Sequence, residues 1–292
     1  VDRLLAGSLS QAQGQGATLI DLALDLPIDQ LEQSTVTGKA LFLNNQVRFS
    51  PLTPSLENVQ GQLRFDEQGF VLDKFQGRTL GGAFQVQGGM GSLAGRKDAG
   101  VHMRAEGVFS SQGLRTQTDL PWLAQLGRHL QGLTPYTLQL DFVGDTLDFS
   151  AASNLQGMAI NLPEPLGKTA AQGQPLRINQ RSLPPRQGRS LQSVQALWGR
   201  DLSAQYEIQR DPKQPTAAPV VRGLLSLGAP PANTRLPDSG VQFLLQAEVL
   251  DADAWRQRLG AVLDASSKLA SEQIGLQAYI PPRLASRVGR LG

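Results

Sequence analysis

The sequence predicts a mainly β protein: a long, mostly antiparallel succession of repeated strands with a few short helices. Three observations predict it. Runs rich in Leu, Val and Phe alternate with polar residues at period two, most plainly around Leu41–Phe49, Leu63–Phe65, Phe70–Phe75 and Phe84–Val86. Asn-Asn, Pro or Gly cut these runs at near-regular intervals, as tight connections between strands require. Finally, 31 Gly in 292 residues exceed the roughly 20 that average usage of about 7% gives. Aromatics are only 5% of the chain, too few for a core built on large rings.

Residues 1–16 are polar and Gly-containing, and no element is expected there. From Thr18 to Pro27 the alternation is clean: Ile20, Leu22, Leu24 and Leu26 share one side, Asp21 and Asp25 the other. Leu41 to Phe49 reads as a hairpin turning at Asn44 and Asn45, which tolerate the left-handed backbone of a short turn. Leu63 and Phe65 precede a turn at Asp66–Gly69, and Phe70, Leu72 and Phe75 follow on one side. After Gly81-Gly82 come Phe84 and Val86. Val101–Phe109 is a further strand. A helix is expected next, capped by Asp119, with Pro121 in its first turn, a Leu123/Leu126/Leu130 stripe and Gly132 as its stop. Strands resume at Tyr136–Phe142 and Leu147–Ser153 about a Gly144-Asp145 turn. Residues 179–192, without periodicity, read as a loop or repeat boundary. Strands are expected at Leu202–Gln209, Val220–Leu227 and Val241–Val249. A helix capped by Asp251 carries Trp255, Leu259, Val262 and Leu263 on one stripe, and a strand opens at Leu276. The programme of strands and then a short helix recurs, which suggests one elongated segment (residues 1–292) with sub-repeats near 17–95, 100–178 and 193–292.

The totals exclude several classes. A net charge of +2, with cations scattered singly and no aromatics interleaved among them, is no nucleic-acid footprint. The pI of 9.1 overstates the charge, because almost nothing titrates between the carboxylates and the amines in a chain with no Cys and two His. Without Cys there are no disulfides, thiolate zinc sites or thiol nucleophiles. No window approaches the 18 or so apolar residues of a membrane-spanning helix, and no signal peptide is visible. The chain begins at Val1, which reads as an internal piece of a longer protein.

No catalytic constellation stands out. His102 and His129 are the only histidines, and there is no Gly-x-Ser-x-Gly. Gly89-Met90-Gly91-Ser92-Leu93-Ala94 resembles a dinucleotide fingerprint but is followed by Gly95–Gly100, another turn, instead of a helix. Asp251 and Asp253 fit a helix N-terminus better than a metal pair. The carboxylates Asp66, Glu67, Asp145 and Asp148 lie at turns. Neither a metal nor a cofactor is expected, and an enzyme is not.

One ordered series of motifs resembles a known family. It runs from Pro27 after its alternating strand through Gly38–Phe49, Pro51–Pro54, Val59-x-Gly61-x-Leu63-x-Phe65 and Gly77–Phe84 with Leu80-Gly81-Gly82. It continues with Leu155-x-Gly157-Met158, Leu162-Pro163-x-Pro165-Leu166-x-Lys168, Leu236-Pro237-x-x-Gly240-Val241, and Asp251-x-Asp253 followed by Trp255. The series spans nearly the whole chain and resembles the YhdP-type proteins of the AsmA-like superfamily. The resemblance implies a large protein of the Gram-negative envelope, anchored in the inner membrane and crossing the periplasm. Its sheet is implied to be strongly curved, U-shaped and taco-like, with a hydrophobic groove that carries phospholipid between inner and outer membranes. The anchor and the terminal segments of the family are not in this sequence.

The alternation itself demands one oily and one wet face, and acyl chains would supply the cover that the oily face needs. The expected lining is Ile20, Leu22, Leu24, Leu41, Leu43, Leu63, Phe65, Phe70, Leu72, Phe84, Val86, Leu138, Leu140, Phe142, Leu147, Phe149, Leu225, Leu227, Phe243 and Leu245. The partners expected are phospholipid acyl chains, the remainder of the parent chain and envelope proteins at either membrane, with no nucleic acid. A second reading is a structural or adhesive β-sandwich whose oily faces cover each other without lipid. A carbohydrate-active β enzyme is a third.

Overall fold

A computed structural model describes residues 12–25, 27, 35–51, 53–96, 98, 100–143, 146–186, 189–210, 220–228, 235–245 and 276–279. The chain is mostly β, and its strands form a mixed sheet that is not closed into a barrel. It divides into two compact units, residues 1–158 and 159–292.

In the first unit β1 (Gln13–Gln15) and β2 (Thr18–Asp25) both run along one edge of β3 (Thr35–Arg48). Beyond β3 each strand pairs antiparallel with the next: β4 (Leu56–Asp66), β5 (Gly69–Thr79), β6 (Gly82–Met90), β7 (Val101–Ser110), β8 (Leu130–Val143) and β9 (Thr146–Ser153). The β4–β5 turn forms where the sequence places it, because the Asp66 Oδ1 accepts from the amides of Gln68 and Gly69, both at 2.8 Å. Asn44 and Asn45 behave differently: no hairpin forms, and β3 runs straight through them. Asn44 takes φ 110° as the extra residue of a bulge, where the β3–β4 register shifts. Asn45 is buried, accepts from the Leu43 amide (3.0 Å) and donates to the Thr18 hydroxyl (3.1 Å), tying β3 to β2. The left-handed tolerance of asparagine is used here to bend a strand without ending it.

Between β7 and β8 lie α1 (Ser111–Arg115) and α2 (Pro121–Arg128). Asp119 does not cap the second helix. Pro121 takes the first helical position, so buried Leu120 is the cap residue, and the Asp119 carboxylate is drawn to Arg48 at 2.5 Å. Nor does the inward stripe include Leu126: Leu123 and Gly127, one turn apart, face in, while Trp122 and Leu126 are exposed. Gly132 is not the stop, for α2 ends at Arg128 and Gly132 lies within β8. The carbonyls of the α2 end are met by Arg115, whose guanidinium donates to Gly127 O and Leu130 O, both at 2.8 Å. Arg115→Ala is expected to lower stability by about 2 kcal/mol, since two charge-assisted bonds are lost, as a shift in urea midpoint at unchanged slope checks.

The short strand β10 (Met158–Ile160) spans the boundary between the units. In the second unit β11 (Leu176–Arg186), β12 (Arg189–Trp198), β13 (Leu202–Arg210) and β14 (Val220–Leu227) are antiparallel neighbours. The strand β15 (Gly240–Leu245) then runs parallel to β14, and β16 (Leu276–Tyr279) parallel to β15. Of residues 179–192, expected as a loop or repeat boundary, 179–186 instead belong to β11 and 189–192 to β12. A ladder of backbone hydrogen bonds does not require apolar side chains, and Pro184-Pro185 fall at the register shift between Leu183 and Arg186, where no ladder donor is needed. The turn expected at Gly144-Asp145, the end of the strand expected to reach Val249, and the helix expected from Asp251 through Trp255, Leu259, Val262 and Leu263 lie outside the described residues.

Candidate functional site: an apolar sheet face

Register decides which side chains share a face, because directly paired residues point the same way. In the first unit the pairs Ile20↔Ala40, Leu22↔Gly38 and Leu24↔Val36 open one face, continued by Gly38↔Phe65 and Ala40↔Leu63. It proceeds through Leu63↔Leu72, Phe65↔Phe70, Phe70↔Met90, Phe75↔Val86 and Gly77↔Phe84. Val86↔Ala105, Gly88↔Met103, Met103↔Leu140, Val101↔Phe142, Leu140↔Phe149 and Phe142↔Leu147 complete it. One apolar surface thus crosses every strand from β2 to β9. The opposite face carries Asp21↔Lys39, Lys39↔Arg64, Gln62↔Asp73, Gln85↔Glu106, Arg104↔Gln139 and Asp141↔Asp148.

Of the expected lining residues in this unit, Ile20, Leu22, Leu24, Leu63, Phe65, Phe70, Leu72, Phe84, Val86, Leu138, Leu140, Phe142, Leu147 and Phe149 share this face. Leu41 and Leu43 do not. Leu41 pairs with Gln62 and Leu43 with Gln60 on the polar face, where they are 38% and 45% exposed. The cause is the bulge at Asn44. Its extra residue reverses the phase of β3, so alternation counted back from Val47 assigns the wrong member of Leu41-Phe42-Leu43. Phe42 belongs to the apolar face instead and meets Phe75 edge-on, with ring centroids 5.3 Å apart. Phe75 reaches that face through a second bulge, at Lys74 with φ 49°. Phe42, Phe75, Met90, Val101, Met103, Ala105 and Tyr136 also lie on this face and are absent from the expected lining; the phase change at Asn44 conceals Phe42, whereas Phe75, Val101, Met103 and Ala105 stand in runs that the sequence already reads as strands. The one available signal was the φ-tolerant residue, Asn, inside an unbroken apolar run.

Glycines explain how so few rings cover so much sheet. Gly38, Gly77 and Gly107 are register partners of Phe65, Phe84 and Tyr136, and each ring lies over the glycine opposite it. A Cβ on Gly77 would stand 2.9 Å from Phe84 Cζ, and one on Gly107 2.8 Å from the Tyr136 hydroxyl. The second unit repeats the device with Gly223 under Tyr206. A ring that lies flat over glycine covers two strands at once and shields bare backbone. Burial pushes the Tyr136 and Tyr206 hydroxyls up from their usual pKa.

In the second unit Leu176, Ile178, Ala196, Trp198, Leu202, Ala204, Tyr206, Leu225, Leu227, Phe243 and Leu245 share a face, including the four expected there. On its other side the carboxylate of Glu207, nearly buried, accepts from Arg222 at 2.7 and 2.8 Å, an ion pair across β13 and β14 that holds the Arg222 guanidinium in its charged form.

The polar face of the first unit carries small exposed networks. His102 sits between Asp141 (2.6 Å) and Asp98 (3.2 Å), and the Arg96 guanidinium, with His102 adding to it, holds the Asp98 carboxyl below the usual carboxylate range. Gly89-Met90 end β6, and Ser92–Ala94 form a 3₁₀ turn, so no long helix opens where a dinucleotide fold needs one. Among the described residues no group of three or more His, Cys, Asp or Glu is arranged to hold a metal, and no helix is long and apolar enough to cross a membrane.

Neither a curated protein nor a solved structure matches the chain. A family model described as YhdP protein matches residues 1–292, the whole of it. With that match added to an open, mostly antiparallel sheet, the chain belongs to the YhdP family.

Proposed function

We propose that this chain is a non-enzymatic segment of a lipid conduit in the cell envelope, in which the apolar sheet face carries phospholipid acyl chains between inner and outer membranes. One observation carries the reading: in the first unit the apolar face is continuous across β2 to β9, and among the described residues no second sheet lies over it. Single apolar residues on a surface are ordinary, but a contiguous apolar face of this extent calls for a partner. Family membership supports the choice of lipid as that partner, since the YhdP family is an envelope family of lipid transport.

The energetics suit transport. A buried methylene is worth about 0.8 kcal/mol, so a dozen of them hold an acyl chain by roughly 10 kcal/mol as an upper limit. Burial has no preferred direction, so a chain sliding along a uniform apolar surface exchanges one contact for an equal one. Glycines beneath rings keep that surface free of protruding polar groups. A trough curled toward the apolar side would leave one edge open for the headgroup, and the parent protein is placed in the periplasm on the same reading.

Native mass spectrometry of the purified chain tests the proposal. Phospholipid bound in whole-number ratio is the expected result. A folded chain that stays lipid-free, even after incubation with phospholipid in detergent, would reject the conduit in favour of a self-covered structural β-domain.

A further inference from the structure

Each unit places one tyrosine on its apolar face. Tyr136 of β8 pairs with Gly107 on the face of Phe84, and Tyr206 of β13 pairs with Gly223 on the face of Ala204 and Leu225. Both side chains are half-buried, and neither hydroxyl has a hydrogen-bond partner among the described residues. Neither oxygen is sealed from the surface, whereas the Trp198 N–H, also unpaired, is buried. Other polar groups on or beside these faces are engaged. The hydroxyls of Thr134 and Ser153 lie 3.3 Å apart, and Ser153 donates to Pro135 O at 2.7 Å. Gln180, Ser182 and Gln192 have partners within the chain. The tyrosine rings are held in place: Tyr136 leans on Phe109, with centroids 6.2 Å apart, and its hydroxyl lies where a Cβ on Gly107 would come within 2.8 Å of it. Tyr206 lies over Gly223, whose Cβ would stand 2.7 Å from its Cε1. A hydroxyl fixed to a packed ring and left open on an apolar surface lacks only an acceptor.

We propose that Tyr136 and Tyr206 are docking posts for ester-linked glycerolipid, each donating its hydroxyl to an acyl ester carbonyl while the tails lie on the apolar face. The inference rests on the conduit reading and adds to it the class of lipid, ester and not ether. The ester carbonyl is the polar group next to the acyl tail, so it is the acceptor that a lipid brings onto an otherwise apolar lining. Tyrosine suits this contact, because its ring matches the lining and its one polar atom stands at the tip. In such surroundings the hydrogen bond is stronger than in water. Burial, which pushes both hydroxyls up from their usual pKa, keeps them as neutral donors. A bond between neutral partners is weak enough in net terms for the lipid to move on.

The test compares two probes on the whole 292-residue chain: dimyristoyl-phosphatidylglycerol and its ditetradecyl ether counterpart, which keeps the headgroup and the tail length and lacks the carbonyls. Retention in native mass spectrometry is expected to favour the ester about fivefold, the worth of one net hydrogen bond. Tyr136→Phe combined with Tyr206→Phe keeps both rings over their glycines and is expected to bring the two lipids to parity by lowering ester retention alone. Each single variant is expected to lose part of the preference. Because neither hydroxyl bonds to the chain, the urea midpoint of the lipid-free double variant is expected to match that of the unaltered chain. Equal retention of ester and ether by the unaltered chain, or a preference that survives in the double variant, would overturn the docking posts and leave the conduit standing. Equal loss of both lipids in the double variant would overturn them too, by moving the acceptor to the phosphate. Failure of both lipids to bind would remove the conduit reading, and the docking posts with it.

Discussion

Leu63→Asp is expected to strip bound phospholipid from the chain by tenfold or more, whereas Leu41→Asp, one strand away, is expected to leave it unchanged. Both leucines sit in alternating runs and look equivalent in the sequence. Register separates them: Leu63 pairs with Ala40 and Leu72 on the apolar face, and Leu41 pairs with Gln62 on the polar one. A carboxylate at Leu63 would have to share an apolar surface with acyl chains, where an unpaired charge costs several kcal/mol or shifts its pKa and neutralises. At Leu41, already 38% exposed, it meets water. Lipid counts by native mass spectrometry, with urea denaturation as a check that both variants remain folded, decide the matter. Equal loss in the two variants, or loss only in Leu41→Asp, would contradict the assignment of faces.

Gly38→Val is expected to destabilise the first unit by about 2 kcal/mol, chiefly by overpacking. The new side chain would occupy the space in which the Phe65 ring lies over β3. Valine otherwise favours strands, so on propensity alone the substitution would be neutral or stabilising. The two arguments therefore predict opposite signs. A double-mutant cycle isolates the contact: Phe65→Ala removes the ring and makes Gly38→Val nearly harmless, so the combined loss should fall short of the sum by 1 kcal/mol or more. Additive losses in urea midpoints would show that the ring does not depend on the missing side chain.

The sequence by itself determined the class of fold, and for a local reason. Alternation at period two and a turn residue every few positions are properties of neighbouring residues, so β2, the Asp66–Gly69 turn and the pairing of β8 with β9 could be read directly. The same locality sufficed for the oily character of Leu63, Phe65, Phe70 and Leu72. It failed wherever one residue changes the count. Asn44 and Lys74 each insert a bulge, and whether such a residue ends a strand or bends it depends on the strand alongside. Leu41 and Leu43 were misplaced by that single step, and Phe42 was passed over.

What only the tertiary structure decided is the continuity of the apolar face. Phe65 and Gly38, Phe84 and Gly77, or Ser182 and Gln192 come together only through cross-strand register. The hairpin of β11 and β12 was opaque for a related reason: its strands are held by backbone hydrogen bonds, which leave no mark on side-chain chemistry, while its polar residues broke the hydrophobic period by which strands are recognised. Composition and period write the character of each residue along the chain, but the surface a lipid would meet exists only once the pairing of neighbouring strands fixes which of those residues stand side by side.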